Sequence, residues 1–399
     1  MNRLIITDVE TDGNMHRVLC RMEDRRLIEA EVLADRTRDE VRIGDIYAGR
    51  IEKIIEQIRA AFVKIRPDLS VYLPLESAVD PVFVKRLRPG TLSQNDEILV
   101  QIEKEAQKGK PAAATANLSV TGRCFVLTTQ NRRLGFSSKL SKRKKERLRG
   151  LVESWSLPYG MIVRTNAGAA SEEDLRREYD HLYHELEDIV KHAPSRQCYS
   201  CVRKAESPLF TRLRGTYAGE LDEIVTDRDE EYEAVLAYTG RYADFAQTKV
   251  IRNRDEWTLS AQYGLHTQIQ NACRRKVWLK SGGFLLIDPT AALTVIDVNT
   301  GKSRPKKSRR DYHLSTNLEA AEEILYQIRL RNLSGIILVD FINLERDEDY
   351  ELLMKTLREL AAKDPVPVQV IDRTALGLVE MTRKKTAKPL AGQLQCKDL

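Results

Sequence analysis

The 399-residue sequence contains no apolar run long enough to span a membrane, and its first residues lack the apolar core of a signal peptide. We therefore expect a cytoplasmic protein with no membrane partner. Charged residues make up 31% of the chain and hydrophobic residues 42%, a balance typical of soluble globular proteins and not of disordered ones. A chain of this length should fold as two to four domains.

Cysteine is scarce and is not arranged as a metal site. The six cysteines include one close pair, Cys198 and Cys201, and no second pair or nearby His-x-x-x-His motif completes the four ligands of a tetrahedral zinc site. We therefore expect free thiols and no zinc.

The net charge of +6 is modest, but the basic residues are clustered. Clusters lie at 139–149, 302–310 and 383–388. Each cluster alone is typical of a solvated surface, whereas three together favour a polyanionic partner such as nucleic acid.

Short alternating segments at 4–7, 15–20 and 27–33 predict strands, with a turn at Asp12 and Gly13. A different pattern begins near residue 41, where short strands are closely spaced and separated by turn residues. They are predicted at 44–51, 61–65, 71–75 and 98–102. This spacing predicts a small closed barrel of the OB type.

The middle of the chain alternates helices and strands. A charged helix is predicted at 141–153 and a strand at 160–165. Ser171 and Asp174 have the spacing of a capping box and predict the start of a second helix. Residues 207–279 alternate short strands with helical stretches.

The last 110 residues predict a strand–helix–strand unit. Strands are expected at 293–299 and 336–341, joined by a helix that a capping box at Thr316 and Glu319 would open. Such a crossover makes the two strands parallel. A further helix at 347–363 and strand at 366–371 extend the pattern.

Two acidic residues end the strands of this unit. Asp297 and Asp340 each follow a buried apolar run, and parallel strands bring their carboxyl ends to one edge of the sheet. Two converging carboxylates would hold one magnesium ion, and Asn299 on the same strand face could orient a carboxylate or a water. The alternative is that strand-terminal aspartates cap a turn, and Asp288 and Asp372 also follow apolar runs.

Several segments around these residues resemble the catalytic core of the ribonuclease E/G family. They are LTVIDVNTG at 293–301, STNLEAAEE at 315–323, IRLR at 328–331 and GIILVDFI at 335–342. The resemblance covers nearly the whole chain, as far as 377–381. It implies that Asp297 and Asp340 bind one magnesium ion with help from Asn299. It also implies cleavage of single-stranded, A/U-rich RNA to 5′-phosphate and 3′-hydroxyl ends, in ribosomal RNA processing and messenger RNA decay.

The resemblance further implies an α/β multi-domain architecture. An RNase H-like subdomain would be formed by 1–40 and 207–280, with an S1 (OB-fold) barrel at 41–121 and a 5′-sensor region at 122–206 between them. A DNase I-like α/β catalytic subdomain at 281–390 and a tail at 391–399 would complete the chain.

Three residues of the barrel region are candidates for RNA binding. An OB-type surface binds single strands by stacking bases on aromatic rings, and Phe62 and Tyr72 lie on two of the predicted strands. Taken alone, Phe62 would be assigned to the core and Lys110 to a solvated loop. The resemblance implies instead that both aromatic residues stack on RNA, with Tyr72 in place of the usual Phe, and that Lys110 contacts the RNA backbone.

Arg164 and Thr165 are candidates for binding a terminal phosphate. A guanidinium, a hydroxyl and backbone N–H groups in a small-residue loop can grip such a group, and the resemblance implies that this pair reads the 5′-monophosphate of RNA. Two departures predict a weaker 5′-end preference: Ser138-Lys139 replaces paired arginines, and Pro365 and Pro367 stand where some members have an arginine.

The sequence ends with one cysteine, Cys396, where the family usually has a zinc-sharing motif that joins two protomers. Either the sequence stops just before that motif, or a homodimer or higher oligomer forms by other contacts, if at all. The alternative functions are a non-catalytic S1-domain RNA-binding protein and, with less support, a DNA nuclease. The intact pair Asp297 and Asp340 favours the endoribonuclease.

Overall fold

The computed structural model describes residues 1–33, 40–87, 92–106, 110–130, 132–155, 157–216, 221–290, 292–301 and 309–396. Most of the basic cluster at 302–310 and the end of the tail lie outside the described residues. The chain divides into two compact units. The first unit contains Met1–Ala34, Gly219–Thr239 and Gln247–Leu399, and the second contains Asp35–Ala218 and Gly240–Ala246. None of the described helices is both long and apolar enough to cross a bilayer.

The strands are, in chain order, β1 (Asn2–Thr11), β2 (Asn14–Glu23), β3 (Arg26–Val32), β4 (Ile46–Ile55), β5 (Ala60–Arg66), β6 (Leu69–Pro74), β7 (Phe83–Lys85), β8 (Glu97–Lys104), β9 (Ala113–Thr115), β10 (Ser119–Thr121), β11 (Phe125–Thr128), β12 (Leu134–Phe136), β13 (Gly160–Val163), β14 (Ser200–Arg203), β15 (Glu223–Thr226), β16 (Lys249–Arg252), β17 (Lys276–Trp278), β18 (Phe284–Pro289), β19 (Leu293–Asn299), β20 (Gly335–Asp340), β21 (Val368–Arg373) and β22 (Val379–Arg383). The helices are α1 (Lys142–Glu153), α2 (Glu172–Lys191), α3 (Pro208–Gly215), α4 (Asp229–Thr239), α5 (Leu259–Gln262), α6 (Leu265–Cys273), α7 (Arg309–Leu330), α8 (Asp347–Ala361) and α9 (Leu390–Leu394).

The second unit contains the predicted barrel. Strands β4, β5, β6, β9 and β8 follow one another around a sheet that closes where β4 pairs with β8. Alternate residues of these strands, among them Ile51, Val63 and Val71, fill its interior and are fully buried. The prediction of a small closed barrel is confirmed, and its form is consistent with an S1-type OB fold.

Strands β14 and β7 extend the barrel sheet at β4 and β8, and the second unit also contains α3 and a four-stranded sheet, β10-β11-β13-β12, with α1 and α2 packed against it. Both helix starts follow the sequence. The hydroxyls of Ser141 and Ser171 accept hydrogen bonds from the backbone N–H groups of Lys144 and Asp174. The predicted helices at 141–153 and after Ser171 are therefore confirmed.

The first unit contains two sheets. In one, with order β16-β15-β1-β2-β3, strands β1 and β2 form a long hairpin around Asp12 and Gly13, whose φ angles are 50° and 79°. Positive φ at both turn residues matches the right-handed twist of the hairpin strands and is tolerated best by an Asp-Gly pair. The three predicted N-terminal strands are confirmed.

The other sheet of the first unit has the order β17-β18-β19-β20-β22-β21. Strands β19 and β20 are parallel neighbours joined through α7, as predicted. The expected extension of this pattern is wrong in its pairing, because β22, which was not predicted, lies between β20 and β21 and is antiparallel to both.

The predicted start of α7 is also wrong. The helix already begins at Arg309, so Thr316 lies inside it, and its hydroxyl donates to the carbonyl of Tyr312 at 2.8 Å. A threonine inside a helix commonly satisfies its hydroxyl in this way. Glu319 does not cap the helix either. Its carboxylate accepts hydrogen bonds from the N–H groups of Lys280 and Ser281.

The basic cluster at 383–388 proves to be of two kinds. Lys384 and Lys385 are exposed, but Arg383 is 4% exposed. Its guanidinium donates to Asp364 at 3.0 Å and to Asn332 at 2.9 Å, and thereby ties β22 to the segments before β20 and β21. The interpretation of Arg383 as part of a solvated basic surface is wrong.

Replacing Arg383 should therefore destabilise the first unit. Arg383→Met leaves the buried carboxylate of Asp364 without a partner, which should lower the free energy of unfolding by about 3–5 kcal/mol. Lys384→Met, on the exposed neighbour, should change it by less than about 0.5 kcal/mol. Chemical denaturation of both variants measures the difference, and equal stabilities would contradict the structural role of Arg383.

Candidate active site

The parallel pairing of β19 and β20 aligns the two candidate metal ligands. Asp297 and Asp340 are register partners on adjacent strands, which lie about 4.8 Å apart in a sheet. The residues that precede them, Ile296 and Val339, are fully buried and face the helices, so both aspartates project from the opposite face. Asp297 is half-buried and Asp340 is exposed. The sequence prediction that the two carboxylates share one edge of the sheet is therefore confirmed.

Asn299 lies on the same face, two residues beyond Asp297. Its side-chain amide donates to Asp297 Oδ2 at 2.8 Å. This hydrogen bond fixes the orientation of the carboxylate and leaves its other oxygen available. No described lysine or arginine forms an ion pair with Asp297 or Asp340, so their negative charges are not neutralised by the part of the chain that the structure describes.

Two other aspartates that follow apolar runs have different surroundings. Asp288 forms an ion pair with Arg275, whose guanidinium holds the pKa of that carboxyl below its usual value. Asp372 lies at an irregularity of β21, and its carboxylate accepts from the N–H of Arg373. Asp288 is thus neutralised by an arginine and Asp372 is bonded to the next residue, whereas Asp297 and Asp340 are register partners of each other.

The donor set of this pair suits a hard divalent cation. Among the described residues, no group of three or more His, Cys, Asp or Glu side chains is arranged to hold a metal. Magnesium does not need such a cage, since it commonly binds one or two carboxylates and keeps water and substrate phosphate as its other ligands. Asp297 and Asp340 fit this requirement.

The barrel carries an aromatic pair on its outer surface. Phe62 and Tyr72 are register partners on β5 and β6, with ring centroids 6.0 Å apart and planes at 77°. Both residues are half-buried, whereas Ala61 and Val63 beside Phe62 are fully buried, so Phe62 is not a core residue. The ammonium of Lys53 lies 4.8 Å from the centre of the Phe62 ring.

Lys110 is exposed and lies just before β9, the strand that pairs with β6. The backbone N–H of Tyr72 donates to the carbonyl of Ala112 at 2.8 Å, which places the segment of Lys110 beside that of Tyr72. The three candidate RNA-binding residues thus belong to neighbouring segments of the barrel.

Arg164 and Thr165 lie where β13 ends. The Thr165 hydroxyl is 2.9 Å from that of Ser137, and the Arg164 guanidinium donates to the carbonyl of Gly122 at 2.5 Å. No described carboxylate forms an ion pair with Arg164, and burial together with the nearby Arg214 lowers its pKa. An anion bound there would relieve both effects.

Lys144 adds positive charge to this loop. Its side chain passes so close to Gly168 that a Cβ at that position would lie 2.9 Å from the Lys144 Cδ and 3.4 Å from its Nζ. The loop therefore combines a guanidinium, two hydroxyls and an ammonium.

Glu178 of α2 supports the start of β11, where the carbonyl of Cys124 accepts from the N–H of Arg164. Its Oε1 accepts from the backbone N–H groups of Cys124 at 2.7 Å and Phe125 at 3.1 Å. It is buried, and burial raises its pKa above the usual value. A Cβ at Gly122 would lie 2.2 Å from this Oε1, so a side chain there would displace the Glu178 carboxylate.

Comparison with known proteins decides the family. The model of the ribonuclease E/G family matches residues 119–386. The chain belongs to that family. Ribonuclease G of Escherichia coli (strain K12) is 30% identical over 361 residues, covering 87% of this chain and 74% of that protein. Ribonuclease G of Haemophilus influenzae is 30% identical over the same length, covering 87% and 73%.

The chain is also similar to ribonuclease E of Nostoc sp., with 32% identity over 353 residues that cover 86% of this chain and 51% of that protein. Family membership confirms the predicted class of enzyme, an endoribonuclease, which is a hydrolase of phosphodiester bonds. The roles of individual residues stay predictions.

Sequence reasoning missed Lys53, Ser137 and Glu178. Lys53 carried no signal, because its position opposite Phe62 depends on a bulge in β4. Ser137 approaches Thr165 through the parallel pairing of β12 and β13, which local patterns do not reveal. Glu178 could have been noticed as a charged residue on the otherwise buried face of α2.

The support from Glu178 can be tested by two substitutions. Glu178→Ala leaves two buried N–H groups without an acceptor, at a cost of about 1–3 kcal/mol each. Glu178→Gln keeps an acceptor oxygen and should be destabilised much less. Because the folded-state pKa is raised, the charged carboxyl is disfavoured in the folded protein, and the stability it contributes is lost as pH rises through that pKa.

At neutral pH, Glu178→Gln should therefore still have a higher free energy of unfolding than Glu178→Ala. The free energy of unfolding of Glu178→Gln should also rise relative to that of wild type as pH rises above about 4.3, the usual pKa of glutamate. Unfolding free energies measured from about pH 4 to about pH 8 test this, because that interval begins near the usual pKa of glutamate and extends well above it. Equal losses for both variants would contradict it.

Proposed function

We propose that this protein is a magnesium-dependent endoribonuclease that cleaves single-stranded, A/U-rich RNA and leaves 5′-phosphate and 3′-hydroxyl ends. The observation that carries the proposal is the register pairing of Asp297 with Asp340 on the open face of the sheet. Two unneutralised carboxylates on adjacent strands repel each other, and one shared cation removes that repulsion.

In this mechanism Asp297 and Asp340 hold the cation, and Asn299 orients Asp297 through its amide. A bound magnesium ion supplies polarisation of a phosphoryl oxygen and activation of a coordinated water. With the ion bound, Asp297 and Asp340 would position the scissile phosphate beside it. Hydrolysis forms a bond from a water oxygen to phosphorus and breaks the bond from phosphorus to the 3′ oxygen, which takes up a proton released by the water. The phosphate therefore stays on the 5′ end of the downstream product.

The barrel surface holds the RNA strand. Bases stack on Phe62 and Tyr72, while Lys110 and Lys53 neutralise phosphates of the backbone. Tyrosine keeps the ring face that stacking requires. Stacking does not depend on base identity, so this surface explains binding of single strands and not a preference for A or U.

Arg164 and Thr165 bind the 5′-monophosphate of the substrate. Their support is the gathering of the Arg164 guanidinium, the hydroxyls of Thr165 and Ser137, and Lys144 around one loop. Because Ser138-Lys139 and Pro365 and Pro367 replace arginines, we expect the dependence on the 5′ phosphate to be modest.

The same resemblance supports further assignments. The sheet of β1–β3 with β15 and β16 would be the RNase H-like subdomain, the barrel the S1 domain, and the sheet of β17–β22 the DNase I-like catalytic subdomain. In the cell we expect a cytoplasmic enzyme of ribosomal RNA processing and messenger RNA decay.

Substitution of Asp340 tests the reaction. Asp340→Asn should reduce the rate of cleavage of single-stranded RNA in magnesium by at least about a hundredfold, since a metal ligand contributes several kcal/mol to the transition state. Asp288→Asn is the matched control, because it removes an aspartate that already has Arg275 as its partner. It should cleave at nearly the wild-type rate.

The same assay separates the alternatives. The wild-type protein is given single-stranded RNA and single-stranded DNA in separate reactions. An RNA-binding protein without activity would cleave neither of them, and a DNA nuclease would cleave the DNA at least as fast as the RNA. Unchanged RNA cleavage by Asp340→Asn would overturn the active site.

The phosphate loop is tested with paired substrates. Arg164→Gln with Thr165→Val should slow cleavage of a 5′-monophosphorylated RNA by about tenfold, the equivalent of about 1.4 kcal/mol, and leave the rate on a 5′-hydroxyl RNA unchanged. Steady-state kinetics on the two RNAs measure this ratio. Equal slowing on both substrates would mean that the loop has no role in reading the 5′ end.

A further inference from the structure

In the part of the chain that the structure describes, no strand residue on the Asp297 face of the β17–β22 sheet (the open face) belongs to the helix-packed core. The buried residues of this sheet, such as Ile287, Ile296 and Val339, pack against α7 and α8 on the other face. Alternation along each strand places the remaining side chains on the open face. Any apolar residue found there has no packing role in this core.

Three residues of β17 and β18 form a cluster on that open face. The rings of Trp278 and Phe284 are 5.5 Å apart with planes at 65°, and the ammonium of Lys276 lies 3.9 Å from the first ring centre and 3.8 Å from the second. Trp278 is 64% exposed. An indole used for packing would bury most of its large surface, so its position here calls for a partner.

The sheet register places this cluster beside the candidate active site. Lys276 is the register partner of Leu286, and Leu286 is the partner of Asp297, which is the partner of Asp340. These residues form one row across the sheet, with Lys276 about 10 Å from Asp297 at about 4.8 Å per strand.

The aromatic residues form the adjacent row. Trp278 is the register partner of Phe284, and Phe284 is the partner of Asn299. Cross-strand partners lie about 5 Å apart. Asn299 is also the residue whose amide orients Asp297, so the Phe284 ring borders the group that would hold the metal.

We propose that Trp278, Phe284 and Lys276 form a binding subsite for single-stranded RNA next to the point of cleavage. A base that flanks the scissile phosphate stacks on the exposed indole, and the Lys276 ammonium neutralises the neighbouring phosphate. Aromatic rings interleaved with a cation are what single-stranded nucleic acid binds. The inference rests on the proposed function, because it is the metal pair that places the scissile phosphate in this row.

The positive charge of Lys276 argues for RNA over a second copy of this chain. Interfaces between identical chains tend to exclude lysine from their centre, whereas here the ammonium lies between the two rings. Single-stranded RNA can bind through both features of the cluster, with bases on the aromatic rings and phosphates beside the ammonium.

The experiment uses the full chain carrying Asp340→Asn, in chelator and without added metal, so that binding is measured without cleavage. The probe is a short single-stranded RNA that contains a site cut by wild type. Stacking should quench tryptophan fluorescence on binding. Trp278→Phe should abolish the quench, and Trp278→Ala should raise the Kd by about 5- to 150-fold.

Trp257→Phe and Trp257→Ala are the matched controls, since Trp257 is 71% exposed in the loop before α5 and lies away from the β17–β22 sheet in sequence. They should leave the quench and the Kd unchanged. Replacing single nucleotides of the probe by abasic ones locates the stacked base. At that position Trp278→Ala should cause little further loss, because the two changes remove the same interaction.

Three results would overturn the subsite, and the first two are an unchanged Kd in Trp278→Ala and a quench that persists in Trp278→Phe. A third is that Trp278→Ala converts a dimer into a monomer in sedimentation while RNA affinity stays the same, which would assign the cluster to a second copy. Cleavage in magnesium distinguishes failure of the active site from failure of the subsite. If the Asp340→Asn protein still cuts RNA, the metal pair is contradicted. If it is inactive but Trp278 substitutions change neither the quench nor the Kd, only the subsite is contradicted.

Discussion

Parallel pairing of β19 with β20 is the interaction on which the candidate active site depends. It makes Asp297 and Asp340 cross-strand neighbours, although more than forty residues separate them in the chain. The long helix α7 makes this possible, because a parallel connection must return the chain to the starting edge of the sheet. A shift of one residue in this register would turn one aspartate toward the core and abolish the shared site.

The two faces of this sheet have different roles, since one stabilises the fold and the other carries the candidate reactive groups. One face packs Ile296 and Val339 against the helices and is held further by the buried pair of Arg383 and Asp364. The other face is open, so its carboxylates can meet a metal ion and a phosphate without breaking any packing. Rigid support beneath an open polar face is what precise positioning of a reacting group requires.

Much of this arrangement could be predicted from local sequence, and the errors have physical causes. The apolar runs before Asp297 and Asp340 identified the strands, but only alternate residues of these runs are buried, and Ile336 is half-exposed. The pattern at Thr316 suggested a helix start, but the same side chain can bond within a helix. The burial of Arg383 depends on Asp364 and on pairing with distant strands, which composition cannot reveal. The prediction of strand order was wrong for the same reason, because β22 pairs with strands that are distant in sequence and its own residues do not reveal those neighbours.

The central claim is that one divalent ion touches both aspartates. A crystal structure of the protein soaked in manganese, with the ion located by its anomalous scattering, tests it most directly. We expect a single peak with a carboxylate oxygen of Asp297 and one of Asp340 each about 2.1 Å away, a distance typical of a small octahedral cation. A peak bound by only one of the two residues, or carboxylates held too far apart to share an ion, would contradict the account.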